Sequence, residues 1–190
     1  MLRISKHAGD APRLSPVEPP FDAGTAEALE RLGPPIALFR LFARRPERAR
    51  AIHGWGRYYL SRQSALSLRH RELVIDRTTA LCGAEYEWSI HVAVYAAKAG
   101  LTDAQVTSIA LGGPDDPCWT DDSDRVVLRT IDLLHQIHDL SDAQWDALKT
   151  VVGEEGAIDL LLICGWYHAI SFVARVIRLP LEPDTPISAR

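Results

Sequence analysis

Glu72, Glu87 and His91 lie in the most apolar helical stretch of this 190-residue chain, with Glu87 fifteen positions after Glu72 and His91 four after Glu87. A carboxylate and an imidazole four residues apart on a helix share a face, and Tyr95 extends the stripe by one more turn. Around them Trp88, Ile90, Val92, Ala93, Val94, Ala96 and Ala97 are apolar on nearly every side, the pattern of a helix buried in a bundle. A buried charge must find a partner or shift its pKa, so Glu87 and His91 are expected to pair or to titrate unusually. Such a pair is either an acid–base couple or an intrahelical contact that fixes the orientation of the helix.

The elements that must position these groups follow from caps and breakers. The run from Arg69 to Gly100 reads as two helices meeting near Cys82, Gly83 and Ala84, with Ser67 capping the first and Gly100 ending the second as a C′ residue. Upstream, residues 1–22 carry Pro12, Pro16, Pro19 and Pro20 with little periodicity and are expected to form an extended arm, of the kind that wraps a neighbouring subunit. Short helices are expected over 24–32 and 35–43, and a longer one over 46–61 with Pro46 at its first position. Downstream, Thr102 to Gln105 and Ser141 to Gln144 are both capping-box words, and helices are expected over 123–138, 142–152 and 155–177. No segment alternates long enough to demand a strand, so the fold class is all-α. The chain divides into an arm and short helix (1–33), a helical domain (34–180) and a tail (181–190).

Tyr167 and His168, in CGWYHAISFVARVI, are again polar groups in an apolar helix and form a second tier of candidates with Tyr95 and Cys82. The competing reading is a buried tyrosine and histidine bonded to backbone carbonyls. A metal among Glu72, Glu87, His91 and His168 is not expected: the di-iron bundle pattern needs histidine three residues after glutamate, twice, and here the interval is four. HExxH is absent as well, and so are phosphate loops and nucleophile elbows, leaving no cofactor implied. Asp115, Asp116, Asp121, Asp122 and Asp124 crowd one loop without EF-hand spacing, which favours a solvated loop with a helix-capping aspartate.

With 47% hydrophobic residues the chain suits one domain with a full core. Cys82, Cys118 and Cys164 are odd in number and in no CxxC arrangement, so neither a disulfide framework nor a zinc site is expected and the cytoplasm is the natural compartment. A net charge of −4 argues against nucleic acid as a partner, and the arginines from Arg40 to Arg50 surround Glu47 and read as a solvated face. The N-terminus has no apolar core of signal-peptide length, and the apolar run 157–167 contains Asp159 and falls short of a span, so no membrane is expected.

The words REL at 71–73, EYEWSIHV at 85–92 and AAKAGLTDAQ at 96–105 resemble the carboxymuconolactone decarboxylase family, related to the alkylhydroperoxidase AhpD. The resemblance spans residues 36–178 and is specific over 69–105. It implies an AhpD-like helical bundle, assembled as trimers or hexamers, with Trp55, Tyr58 and Tyr59 able to serve either subunit contacts or core packing. The AhpD pattern of glutamate, two cysteines and histidine falls on Glu72, Ala84, Glu87 and His91, so the redox pair is missing. A dithiol peroxidase needs one thiolate to attack and a second to resolve, which alanine and glutamate cannot do. Cys82 stands two positions before the first expected cysteine, turned about 200° away on a helix.

What remains resembles the decarboxylase branch, which implies loss of CO2 from a small lactone carboxylate without a cofactor. In that scheme His91 carries the proton, Glu72 orients it and Glu87 protonates or orients the enol product. Arg71, Arg77 and His70 are the candidates to hold the substrate carboxylate. The alternatives are a noncatalytic oligomeric or binding protein of the same fold, and an alkylhydroperoxidase using the displaced Cys82.

Overall fold

The structure, a computed structural model, describes residues 11–183. Among these residues it contains eight helices and no strand: α1 (Ala23–Leu32), α2 (Ala37–Ala43), α3 (Pro46–Tyr59), α4 (Leu68–Leu81), α5 (Glu85–Tyr95), α6 (Asp103–Leu111), α7 (Asp122–Ile137) and α8 (Asp142–Ile177). Among the described residues the chain is all-α, as the caps and apolar periodicity predict.

Local chemistry sets the ends of these helices. Ser67 accepts from His70 N–H to start α4, and Asp22 and Asp121 cap α1 and α7 in the same way. Both capping-box words close as reciprocal pairs, Thr102 with Gln105 and Ser141 with Gln144. The corner between α4 and α5 is a Schellman turn: Ala84 N–H bonds Thr79 C=O at 2.8 Å and Gly83 N–H bonds Ala80 C=O at 2.9 Å. Gly83 takes φ 63°, where a Cβ would be strained, and this sharp stop sends α5 back across α4. A second Schellman turn at Gly100 follows α5, whose regular hydrogen bonding ends at Tyr95 rather than at the glycine. At Gly153, with φ 75° and ψ 173°, α8 is kinked into two helical segments, where the sequence predicts helices 142–152 and 155–177.

Helix α4 is the axis of the fold. Residues 71–80 are all buried, with Leu73, Val74 and Ile75 fully so, and α5, α6, α7 and α8 pack around them. Its polar groups other than Asp76 are tied rather than solvated. Arg77 bonds Asp132 on α7 at 2.7 and 3.1 Å and the carbonyls of Ile109 and Gly112 at 2.8 and 3.0 Å. Arg69 chelates Asp124, the buried member of the acidic loop. Breaking either pair would leave a buried charge uncompensated, so the pairs hold the register of α4 against α7.

A second core joins α2 to α5 and the end of α8 through Leu38, Leu41, Phe42, Tyr86, Ile170 and Ala174. Tyr86 donates to Glu182 at 2.7 Å and accepts from Leu38 N–H at 3.0 Å, so Glu182, two residues beyond the expected end of the domain, is tied into this core. The described part of the arm lies on its own chain: Arg13 N–H bonds Ile177 C=O at 2.8 Å and Arg44 donates to Ser15 C=O at 2.7 Å. The rest of the arm, residues 1–10, and the tail from 184 fall outside the described residues.

By length and composition α8 alone, among the described residues, could cross a membrane. Here it packs against α4 and α7, and its Asp159 accepts from Ser64 hydroxyl at 2.9 Å and Ala65 N–H at 2.8 Å.

Candidate functional site

The return of α5 across α4 brings His91 onto Glu72. His91 Nδ1 lies 2.9 Å from Glu72 Oε2, and Tyr167 from α8 places its hydroxyl 2.9 Å from His91 Nε2. Glu72 is fully buried, and its other oxygen accepts from Arg71 Nε at 2.9 Å. Tyr167 meets the imidazole edge-on and Tyr95 lies along its other side, with ring centroids 5.1 and 5.4 Å away. Because a carboxylate only accepts, Nδ1 carries a proton, and Nε2 exchanges one with the tyrosine hydroxyl.

Electrostatics keep this network loaded with protons. Burial opposes the imidazolium, but the hydrogen bond and charge of Glu72, with Asp76 and Glu87 behind it, raise His91 above the usual histidine range. Burial likewise pushes Glu87 up to about 7, against the pull of His91. Glu87 Oε1 is buried without a hydrogen-bond partner among the described residues, which suits a protonated carboxyl held for donation. Burial also lifts the Tyr167 phenol well above its ordinary value, so it remains a hydroxyl at any working pH.

Glu87, His91, Tyr95 and Tyr167 open on a cavity of about 500 Å³ walled by α1, α2, α3, α5 and α8. The rest of its lining is mostly apolar, including Leu38, Phe39, Ile52, Leu60, Trp166 and Ile170. Glu72 does not line it and stands behind His91, where it orients the ring. Water-poor walls with a few convergent polar groups are the usual form of a small-molecule site.

Residues 46–113 match the carboxymuconolactone decarboxylase family. Over that stretch the chain is similar to that family. Over 97% of its length, and 96% of the other chain, it superposes on an uncharacterized peroxidase-related protein from Silicibacter sp. TM1040 with a TM-score of 0.78 at 16% identity, a likeness of fold. No curated protein matches the sequence.

Of the residues singled out in the sequence, Glu72, Glu87, His91, Tyr95 and Tyr167 lie together at or directly behind the cavity, whereas Cys82 and His168 do not join them. His168 follows Tyr167 by one residue, about 100° around α8, and faces α7, where its Nε2 lies 3.0 Å from His135 Nδ1. Cys82 ends α4 on that same side, and neither residue lines the cavity. Burial raises the Cys82 thiol above its ordinary pKa, the reverse of what a peroxidatic thiolate needs.

The expected carboxylate-binding cations are also elsewhere. Arg71 is engaged by Glu72, Arg77 by Asp132, and His70 lies beside Asp124 and Ser123. Arg31, His53 and Arg57 line the cavity instead, and Arg57 makes no ion pair among the described residues. Sequence reading also misses Asp76, one turn after Glu72, fully buried with neither carboxylate oxygen hydrogen-bonded among the described residues. Burial drives its pKa well upward, against the pull of His91. The available signal was an aspartate inside LVIDRTTAL, an apolar run with no room for a solvated charge.

Proposed function

We propose that this chain is a cofactor-free acid–base enzyme that decarboxylates or isomerises a small, largely apolar lactone or carboxylate. The observation that carries this reading is the Tyr167–His91–Glu72 chain of hydrogen bonds ending on an apolar cavity that Glu87 also lines. Arg57 pairs with a substrate carboxylate at the cavity wall, while the walls strip water from the reacting end.

For decarboxylation of a β-keto or vinylogous acid, the carbon–carboxyl bond breaks and its electron pair enters the conjugated carbonyl as an enolate. The protonated Glu87 carboxyl stabilises the enolate oxygen by hydrogen bonding. Imidazolium His91 then returns one proton to carbon, directly or through the Tyr167 hydroxyl. CO2 leaves, and the imidazole regains its proton from solvent. Isomerisation uses the same groups, with neutral His91 first removing a proton and then returning it elsewhere on the conjugated system. General acid–base help of this kind is worth roughly 10²- to 10⁴-fold.

We place the protein in the reducing cytoplasm, which suits its three free cysteines. We also propose a homo-oligomer, trimeric or hexameric, joined through the exposed apolar stripe of Ile158, Leu162, Phe172 and Val176 on α8.

The test is a screen of lactone carboxylates and β-keto acids for CO2 release or isomer formation, with wild type and His91→Ala compared. Turnover by wild type, lost in a variant of unchanged helicity, supports the enzyme. Ligand binding without turnover, unaffected by His91→Ala and Glu72→Gln, moves the reading to a binding protein. Hydroperoxide reduction abolished by alkylation of Cys82 would replace it with a peroxidase.

A further inference from the structure

On the opposite side of α4 from the cavity, Cys82, His135 and His168 bring one thiol and two imidazole nitrogens within 4.8 Å of one another. They come from three elements, the C-cap of α4, the last turn of α7 and the middle of α8. We propose that this cluster is a binding site for a borderline-soft divalent transition metal, zinc(II) foremost, with Cys82 Sγ, His135 Nδ1 and His168 Nε2 as ligands.

Three observations carry the assignment. The first is ring orientation. His168 Nδ1 lies 2.8 Å from Cys164 C=O, and a carbonyl can only accept, so that nitrogen carries the proton and Nε2 presents its lone pair to the cluster. An imidazole fixed through its far nitrogen by a carbonyl is how proteins orient metal-binding histidines. The second is spacing. Zinc takes nitrogen at about 2.0–2.1 Å and sulfur at about 2.3 Å in a tetrahedron, which sets ligand atoms a little over 3 Å apart. The two nitrogens stand 3.0 Å apart, with their rings stacked at 5.3 Å between centroids, and all three ligand atoms lie within 4.8 Å of one another, so side-chain adjustments of about an ångström bring them to tetrahedral spacing. The third is access: Cys82 is buried while both histidines are half-buried, so an ion reaches the thiol past the imidazoles.

The chemistry balances without a redox partner. His135 in its neutral form donates Nδ1–H to His168 Nε2, and on metal binding that proton is carried on Nε2 instead. Cys82 gives up its thiol proton to solvent, so one proton leaves for each ion bound and the site keeps a net charge of +1. Cys164 is not a ligand in this arrangement, because its thiol contacts Thr78 at 3.6 Å and approaches only the far nitrogen of His168. Three protein ligands leave the fourth position of a tetrahedral ion to water or an exogenous group.

The test is cobalt(II) titration of the full chain, with zinc(II) competition. The expected result is one equivalent bound, with the intense visible bands of a four-coordinate ion and a thiolate-to-cobalt charge-transfer band, both removed by zinc. Cys82→Ser should abolish the charge-transfer band, and His135→Asn or His168→Asn should weaken binding by about 100-fold or more. Cys118→Ser should change neither. Circular dichroism of each apo variant separates loss of a ligand from loss of fold, and His135→Asn, nearest the surface, serves if Cys82→Ser does not fold. The proposal is overturned by pale six-coordinate spectra, by a charge-transfer band that survives in Cys82→Ser, or by equal affinity in the histidine variants.

Discussion

Tyr167 Oη and Glu72 Oε2 occupy opposite nitrogens of the His91 ring, each at 2.9 Å. Both nitrogens are therefore engaged before any ligand arrives, and a substrate in the cavity meets the imidazole through, or in place of, the tyrosine hydroxyl. That hydroxyl is the sole hydrogen-bonding group at Nε2 among the described residues, which makes Tyr167→Phe an informative variant. Direct proton transfer from His91 predicts little loss or a gain in turnover, whereas relay through the hydroxyl predicts a fall of about 10²-fold or more. Steady-state kinetics with a solvent isotope comparison decides between the two routes.

Glu72→Gln should be costly to the fold as well as to the chemistry. It leaves buried Arg71 without its ionic partner, a loss of about 3–5 kcal/mol in comparable buried pairs. It also removes the negative charge that raises His91, so the imidazole pKa should drop. Urea denaturation reads the first effect and NMR titration of His91 the second. A stable variant with an unchanged histidine titration would refute the orienting role.

Glu87 gives stability a defined dependence on pH. Its carboxyl ionises near 4.5 when unfolded and near 7 when folded, so between those values the folded state holds the extra proton. Stability is then full below about pH 4.5 and declines as pH rises through about 7. His91 acts in the same direction, because its raised pKa also keeps a proton bound in the folded chain. Glu87→Gln should flatten the decline between about 4.5 and 7 while leaving the part owed to His91. Urea midpoints measured across this range for both proteins check it, and identical slopes would show that Glu87 does not titrate there.

Arg57→Met should raise KM by about 10- to 100-fold, the worth of a charge-assisted contact, with kcat little changed. A fall in kcat at constant KM would place the arginine in the chemistry rather than in binding. Circular dichroism should show no change, since Arg57 is exposed and has no ion pair among the described residues.

Phe172→Glu and Leu162→Glu should dissociate an assembly built on the α8 stripe, read as a lower mass by light scattering. Unchanged mass in both would locate the subunit contacts elsewhere.

Much of this molecule is legible before folding is considered, because its decisive signals are local. The Ser67 cap, the Gly83 corner and the two capping boxes act within a few residues, so they mark α4, α5, α6 and α8 in the sequence. The pairing of Glu72 with His91 follows once those two helices are known to fold back on one another.

Helix periodicity states which residues share a face; it does not state which neighbour that face meets. His168 and Tyr167 look equivalent in sequence, yet one residue of rotation turns Tyr167 to His91 and His168 to His135 on α7. Arg57 was beyond reach for the same reason: an exposed arginine on α3 becomes part of a cavity only when α3 is laid against α5 and α8. The sequence by itself determined the helices and most of their ends, since these depend on spacing and caps. Tertiary packing alone decided the two sides of α4, the cavity with its Tyr167–His91–Glu72 chain and the Cys82, His135 and His168 cluster, because crossing helices choose the contacts between distant residues.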